Sequence, residues 1–435
     1  MPQYGSTMSE IDKLNGLFDR LWPICRSIAG PGIRKSLDIL AESIPLERLT
    51  FSTGTQVFDW TVPKEWVAKD AYFVGPDGKK RAEFKKNNLS LVSHSVPFKG
   101  TMNLEELKKH LFSIPDLPQA IPYITSYYKE QWGFCLPHEE LESLPQGSHS
   151  VFIDTELKPG YLVVGEAILE GKSKKEILLS TYLCHPSMAN NELSGPLAMS
   201  LLYERISKLK NRRYTYRFVV SAETIGTICY LSLRGQHLKD HVIAGYQLTC
   251  MGDKGPFTFK KSRRGDSITD HAALKYLRET EEGFKIEDFD PGNGSDERQY
   301  CSPGFDLPMG SLMRTMYSRY PEYHTSLDNK DFISFESLVG SVNALEGILL
   351  DIESRQIYVN NFPFCEPQLG KRGLYPQTGS VGELQNELKA IMWILNFSDG
   401  KTDLEMIAEK SKLSLNIIKD AASQLCKSGV ISIQE

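Results

Sequence analysis

No stretch of the chain approaches the ~20 consecutive apolar residues that a membrane-spanning helix requires. The first residues lack a basic segment followed by an apolar run, so no secretory leader is expected. Cysteine is sparse. Eight are scattered through 435 residues at Cys25, Cys135, Cys184, Cys229, Cys250, Cys301, Cys365 and Cys426, with no Cys-x-x-Cys pair. That argues against a disulfide framework and points to a reducing, cytoplasmic setting. Charge of one sign is not in excess either: Lys plus Arg total 50 against 55 for Asp plus Glu, a net charge of −5. A chain whose main task is to coat nucleic acid or an anionic membrane would not be balanced in this way. Internal repeats and low-complexity tracts are absent as well. What is present, 40% hydrophobic and 24% charged residues, suits a packed core. The length allows two to four domains at ~150 residues each.

Ser9 is a candidate N-cap, and Ile11, Leu14, Leu17, Phe18 and Leu21 follow it at helical spacing. A second short helix is expected over residues 33–43. Residues 51–149 differ in character. Short β-rich pieces (56–62, 89–96) alternate with turns, and Trp60, Trp66, Tyr127, Tyr128 and Trp132 stand in loops, so this stretch is expected to be an inserted small β-containing domain. From residue 150 the rhythm becomes strand, loop, helix, with strands at 161–167, 176–182 and 216–221 and helices at 197–209 and 225–233. It resumes at 241–251, 268–278 and 332–351. Such alternation predicts an α/β domain with a largely parallel sheet, built from 1–50 and 150–358. The charged stretch 280–290 is expected to be a surface excursion. Beyond the Pro- and Gly-bearing break at 360–379, helices at 384–395 and 415–426 flank one capped by a Thr402/Glu405 box, and 430–433 is a closing strand. Residues 370–435 are therefore expected to form a winged helix.

Two of the nine histidines stand out by setting. His185 follows the apolar strand 176–182, and in an α/β sheet the groups beyond the carboxyl ends of the strands line the ligand crevice. A polar loop, Asn190-Asn191-Glu192-Leu193-Ser194-Gly195, comes next and leads into a helix. Glu223 follows the strand 216–221; either it faces a cleft or it is a helix N-terminal charge favoured by the dipole. Asp296 lies in a turn-rich segment and His324 between a turn and a helix. Two His, an Asp and an isolated Glu on the loops of one α/β domain suit a metal-assisted hydrolase. Zinc is the natural ion for such ligands, and a carboxylate would take the proton of the attacking water.

In that order the residues resemble the zinc aminopeptidases and glutamate carboxypeptidases. The chain more closely resembles a bacterial aminopeptidase-like family that adds an inserted β domain and a C-terminal winged helix. Residues 57–63, 121–128, 184–195, 294–301 and 323–329 carry this likeness, which covers nearly the whole chain. The resemblance implies a zinc-exopeptidase-like, mostly parallel sheet and a metal-dependent hydrolase of a peptide or amide bond. It implies His185 and Asp296 as ligands of one metal, His324 as the ligand of a second, and Glu223 as the general base. A small peptide, amide or amino-sugar-type substrate from polysaccharide or secondary-metabolite biosynthesis would follow, and a homo-oligomer is possible.

Two positions depart from the zinc-aminopeptidase pattern. Asn191 stands where the carboxylate bridging two metals belongs, with Glu192 after it as a weaker substitute, and Thr224 stands where the second metal's Glu would be. The full pattern sets three carboxylates against two divalent ions; this chain keeps Asp296 alone. Two cations a few Å apart with that compensation repel by several kcal/mol even at an effective dielectric constant of about 20. At most one zinc ion per chain is expected, and a catalytically altered protein with no tightly held metal is the alternative. Residues 371–435 carry eight basic and eight acidic side chains, which makes nucleic acid an improbable partner for the winged helix.

Overall fold

The structure, a computed structural model, describes residues 7–374 and 383–434. Its centre is an eight-stranded mixed sheet. In chain order the strands are β1 (Glu47–Ser52), β2 (Tyr161–Leu169), β3 (Glu176–Tyr182), β4 (Thr215–Ser221), β5 (Val242–Leu248), β6 (Thr258–Lys260), β7 (Lys285–Glu287) and β8 (Met309–Met313). They lie side by side as β1-β2-β4-β3-β5-β8-β6-β7. The four central strands β4, β3, β5 and β8 run parallel, and β1, β2 and β6 pair antiparallel. Every residue of β3 and β4 is buried. That is why both appear as short apolar runs and not as alternations: a parallel strand covered by helices on both faces has no wet side.

The covering helices are α1 (Thr7–Leu21), α2 (Pro31–Leu40), α3 (Ser194–Ser207), α4 (Ile225–His241), α5 (Ile268–Thr280) and α6 (Phe335–Ser354). α3 is buried over most of its length and packs against α1 and α6. The carboxyl ends of β3, β4, β5 and β8 therefore open on one edge, and the loops that leave them carry the chemistry-bearing residues. Charge inside the sheet is paired: Arg217 on β4 meets Glu176 on β3 at 2.6 Å and also Glu166 on β2. Unpaired burial of either carboxylate would cost several kcal/mol.

Residues between β1 and β2 form a separate four-stranded antiparallel sheet, in the order Lys80–Arg81, Glu65–Val74, Ser148–Lys158, Phe98–Asn103. It has its own core around Phe73, Phe134 and Leu107. At the other end, Ile357–Asn360 forms a sheet with Asp399–Asp403 and Ile431–Ile433. Helices Glu383–Phe397, Leu404–Ser411 and Leu415–Lys427 pack beside it around Ile394, Ile407 and Leu425. Residues 375–382, part of the break expected between the units, lie outside the described residues.

Four local expectations are corrected. α1 begins at Thr7, two residues ahead of Ser9. Residues 89–96 are no continuous strand: a 3₁₀ turn at Asn88–Ser90 is followed by isolated bridges from Leu91 to Phe134 and from Ser93 to Thr125. The charged stretch 280–290 lies at the surface as expected, but it is no mere excursion: it contains β7, which pairs in parallel with β6 at the sheet edge, where Lys285 and Ile286 can face water while the backbone bonds are made. The helix Leu404–Ser411 is capped by Asp403, whose carboxylate accepts from Met406 N, and not by Thr402. Asp403 prevails because it is also held by Arg355 at 2.6 Å.

Candidate active site

The loop after β3 and the start of α3 form the floor. Ala189–Leu193 makes one wide π-type turn before α3, and all five residues are buried. Such turns are rare and gather at functional sites. Its amino end is held by Asp328, whose carboxylate accepts from Asn190 N at 2.6 Å and Asn191 N at 2.9 Å. Burial pushes the Asp328 carboxyl up to about 7 against these bonds.

His185 lies beside that turn, and both of its nitrogens have identifiable surroundings. Nδ1 is 2.8 Å from Glu192 Oε2, and Nε2 is 3.6 Å from Glu223 Oε2. Glu192 is fully buried, with Arg26 Nε 3.6 Å from its other oxygen. Arg26, which is also fully buried, donates to the carbonyls of His185 (3.0 Å) and Leu21 (2.6 Å). A carboxylate on Nδ1 fixes the ring in the tautomer whose Nε2 faces the cavity. Burial works against a charged imidazole, but Cys184 and the Glu192 carboxylate hold its pKa well above the ordinary value.

Glu223 follows β4 with its side chain 28% exposed. Ser295 Oγ donates to its Oε1 at 2.6 Å, and its backbone N–H points to Cys184 Sγ at 3.3 Å. The chain turns sharply after it. Thr224 has φ 62° and ψ −77°, and Ile225 N returns to Glu223 O at 2.8 Å, which is the left-handed γ-turn. For a β-branched residue this is a true outlier, costing of order 1–3 kcal/mol. The turn aims Thr224 N at Asp296 Oδ1, 2.7 Å away. Asp296 is fully buried. Among the described residues its Oδ2 has no hydrogen-bond partner. Burial, then the nearby Glu223, pushes the Asp296 carboxyl well above its usual range.

His324 arrives on the loop after β8, also at positive φ (55°). Its ring centroid is 5.4 Å from that of His185. Burial first, then His185, lowers its pKa to about 3, so the ring is neutral and its lone pair free. Residues 121–126 of the inserted region dock against this loop: Tyr123 N donates to His324 O at 2.8 Å, and Ser326 N to Ile121 O at 2.9 Å. The Tyr123 ring packs on both histidines, at 5.1 Å from His185 and 5.3 Å from His324. The inserted region thus roofs the site. A cavity of about 510 Å³ remains, lined by His185, Glu223 and His324 together with Trp60, Tyr127 and Tyr128.

The expected donors lie near one another without forming a closed ligand set: among the described residues the ligand atoms of His185, Asp296 and His324 do not all come within 4.8 Å of one another. A cation would have to draw these ligands together and displace the protons that the raised pKa values of His185 and Asp296 keep in place; what favours one is the neutral His324 ring and the Asp296 Oδ2, which has no hydrogen-bond partner among the described residues. They do not fit a second ion. Asn191 Oδ1 accepts from Tyr182 OH at 3.0 Å, the Glu192 carboxylate is engaged by His185 and Arg26, and Thr224 presents a backbone N–H. Among the described residues, Cys184, His185 and Glu192 have ligand atoms all within 4.8 Å of one another. These three contact each other through His185 Nδ1, and burial pushes the Cys184 thiol up to about 11, so they form a hydrogen-bonded cluster and not an open ligand set.

Arg26, Asp328, Ser295 and Tyr123 were not singled out from the sequence. Arg26 carried one signal, an Arg framed by Ile24 and Ile28 directly after an amphipathic helix. The other three lie in the stretches 121–128, 294–301 and 323–329 that carry the family likeness, but no local pattern marks their roles, because each acts through a contact made far along the chain.

Comparisons with known proteins agree with this architecture. Residues 15–355 match the family described as "Domain of unknown function (DUF4910)", and residues 356–433 match a winged helix-turn-helix family. A Clostridium acetobutylicum protein is 44% identical over 413 residues, covering 95% of this chain and 94% of that protein. Its name assigns it provisionally to polysaccharide biosynthesis and gives it an aminopeptidase-like domain. A crystal structure of a C. acetobutylicum protein provisionally named a peptidase is 41% identical, covers 98% of each chain and superposes with a TM-score of 0.79. A zinc aminopeptidase from Bacillus subtilis shares the fold at 12% identity, TM-score 0.59, over 81% of this chain and 96% of its own. With this match over most of its length, the chain belongs to the DUF4910 family: an aminopeptidase-fold α/β domain followed by a winged helix-turn-helix.

Proposed function

We propose that the protein is a metal-dependent hydrolase of an amide or peptide bond that holds at most one zinc ion. His185, Asp296 and His324 would hold the ion, which when bound supplies a Lewis acid for the carbonyl. Asn191 is left out of the ligand set because its Oδ1 accepts from Tyr182, and Glu192 because one oxygen is taken by His185 Nδ1 while the other, without a hydrogen bond, faces the Arg26 guanidinium at 3.6 Å. The observation that carries the reading is Glu223. Its carboxylate faces the cavity from the end of a buried strand, braced by Ser295 and 3.6 Å from His185 Nε2. There it takes the proton of the attacking water and returns it to the leaving nitrogen.

The cavity lining supports a neutral substrate. Aromatic and aliphatic side chains share the lining with His185, Glu223 and His324, and among the described residues no Lys or Arg contributes to it. An amide carried by a peptide or an amino sugar fits this better than a phosphorylated compound, and the relative's name places that relative in polysaccharide biosynthesis. A cytoplasmic location is in keeping with eight free cysteines. No described helix is long and apolar enough to cross a membrane.

Glu223→Gln keeps shape and removes basicity. Turnover of an N-acyl amide substrate should fall about 10²–10⁴-fold with little change in fold; a kcat within threefold of wild type excludes the role. The engagement of Glu192 by Arg26 and His185 favours a second reading, an altered site without tightly bound metal. Zinc absent from the purified and zinc-dialysed protein would select it.

A further inference from the structure

The site cavity does not end at Trp60. A second cavity of about 380 Å³ lies on the far side of that indole, between the hairpin Gln56–Val57/Trp60–Thr61 and the next turns of α4. α4 lines both: Ile225 faces the first, and Ile228 and Leu231, three and six positions on, face the second. The two are neighbours across Trp60, which lines both.

The hairpin tip is built against its own stability. Its two-residue turn is Phe58-Asp59, and Phe58 has φ 53°, a conformation such turns normally give to Asn or Gly. The strained residue is a large aromatic that is nonetheless 58% exposed, resting edge-on against Phe305 at 5.9 Å. Tyr128 stands at the junction, 64% exposed and edge-on to Trp60 at 5.8 Å. Strain and exposed aromatic surface together, at the mouth of a catalytic cleft, mark a ligand clamp.

We propose that this second cavity is a subsite for a neutral sugar ring, attached to the residue that bears the scissile amide. The inference rests on the hydrolase reading for which bond is cut, but not for what the cleft holds. Among the described residues the second cavity is lined by no Lys, Arg or His and carries Asp59, so a phosphate, a nucleotide diphosphate or a carboxylate would enter it without a counter-charge. An aliphatic acyl chain or side chain calls for an enclosed dry wall, whereas this cavity is open and mixes aromatic faces with Asp59, Gln299 and Ser302. A pyranose has that mixed character. Its axial C–H face lies on an aromatic ring, and its equatorial hydroxyls reach carboxylate, amide and hydroxyl partners.

The test is calorimetric titration of the full chain with triacetylchitotriose, the neutral amide dipeptide acetyl-Leu-Leu-amide, and UDP-N-acetylglucosamine as an anionic sugar. The trisaccharide should bind most tightly. Phe58→Ala, which removes an exposed side chain and leaves the core intact, should weaken it at least fivefold, and Trp60→Phe by less. A preference for the dipeptide amide or the nucleotide sugar, no saturable binding of the trisaccharide, or binding unchanged in both variants would overturn the proposal. Binding needs no turnover, so failure here leaves the Glu223 prediction standing, and failure of that prediction leaves the subsite standing.

Discussion

Glu192 shows how one residue's role depends on its neighbours. Its position next to Asn191 made it a candidate to replace a lost metal bridge, but its carboxylate sits between His185 Nδ1 and Arg26, fully buried. On the proposed reading it orients a ligand. Glu192→Gln keeps an acceptor for the Nδ1 proton and should lower zinc affinity about 10-fold, whereas Glu192→Leu should lower it about 100-fold. Chelator competition measures both; equal affinities for wild type and the Leu variant would remove Glu192 from this role. At this scale much was legible. His185 and Glu223 each end an apolar run, and that pattern alone places a side chain at the open edge of a parallel sheet. The strain at Thr224 was not legible, because nothing local predicts a β-branched residue at positive φ; the turn is imposed by the bond from Thr224 N to Asp296, 72 positions away. Arg26 was hidden for the same reason, its partners being the carbonyl and the carboxylate of residues far along the chain.

Among the elements, the roof over the site is the most instructive. Its segments 89–96 and 121–128 are tied by single bridges, not by long strands, so hydrophobic alternation misjudged the first of them. His94 is buried there at φ 69°, stacked on Trp66 at 5.4 Å and against Tyr127 at 4.6 Å, with no partner for Nε2 among the described residues. Burial lowers its pKa to about 3. A group that stays neutral in the fold but titrates near 6.5 when unfolded contributes stability above about pH 6.5. That contribution is lost as pH falls towards 3, at up to about 1.4 kcal/mol per pH unit. His94→Asn tolerates the left-handed backbone and removes the titration, so the stability gap between wild type and variant should move against the wild type from pH 7 to pH 5 in urea unfolding. Parallel curves would show that His94 does not titrate this way. β7 was missed for a different reason: an edge strand of three residues with Lys and Glu on it has the composition of a loop.

At the scale of the whole molecule, the alternation of strands and helices was enough to give the α/β class and the parallel centre of the sheet. How the C-terminal unit meets the rest was not legible, because the contact is ionic and long-range. Arg355 pairs with Asp403, Lys275 with Glu405 at 3.0 Å, and His271 with Glu409 at 2.9 Å, joining the helix Leu404–Ser411 to α5 and the end of α6. The unit's sheet also takes in Ile357–Asn360, so any test of nucleic-acid binding should use the full chain. With Lys419 and Lys427 as its basic residues, the helix Leu415–Lys427 is poorly equipped to grip phosphates, and fluorescence anisotropy should show no micromolar, salt-sensitive binding to duplex DNA. Such binding would contradict a packing role for this unit.

The central claim concerns charge at the site: one carboxylate, Asp296, stands at a ligand position of the resembled pattern, where two cations would need three. Zinc per chain after dialysis against excess zinc and removal of loosely bound ion, measured on wild type and Asn191→Asp, tests it most directly. At most one ion in the wild type and a higher content in Asn191→Asp is the expected result. Two tightly held ions in the wild type would contradict the account.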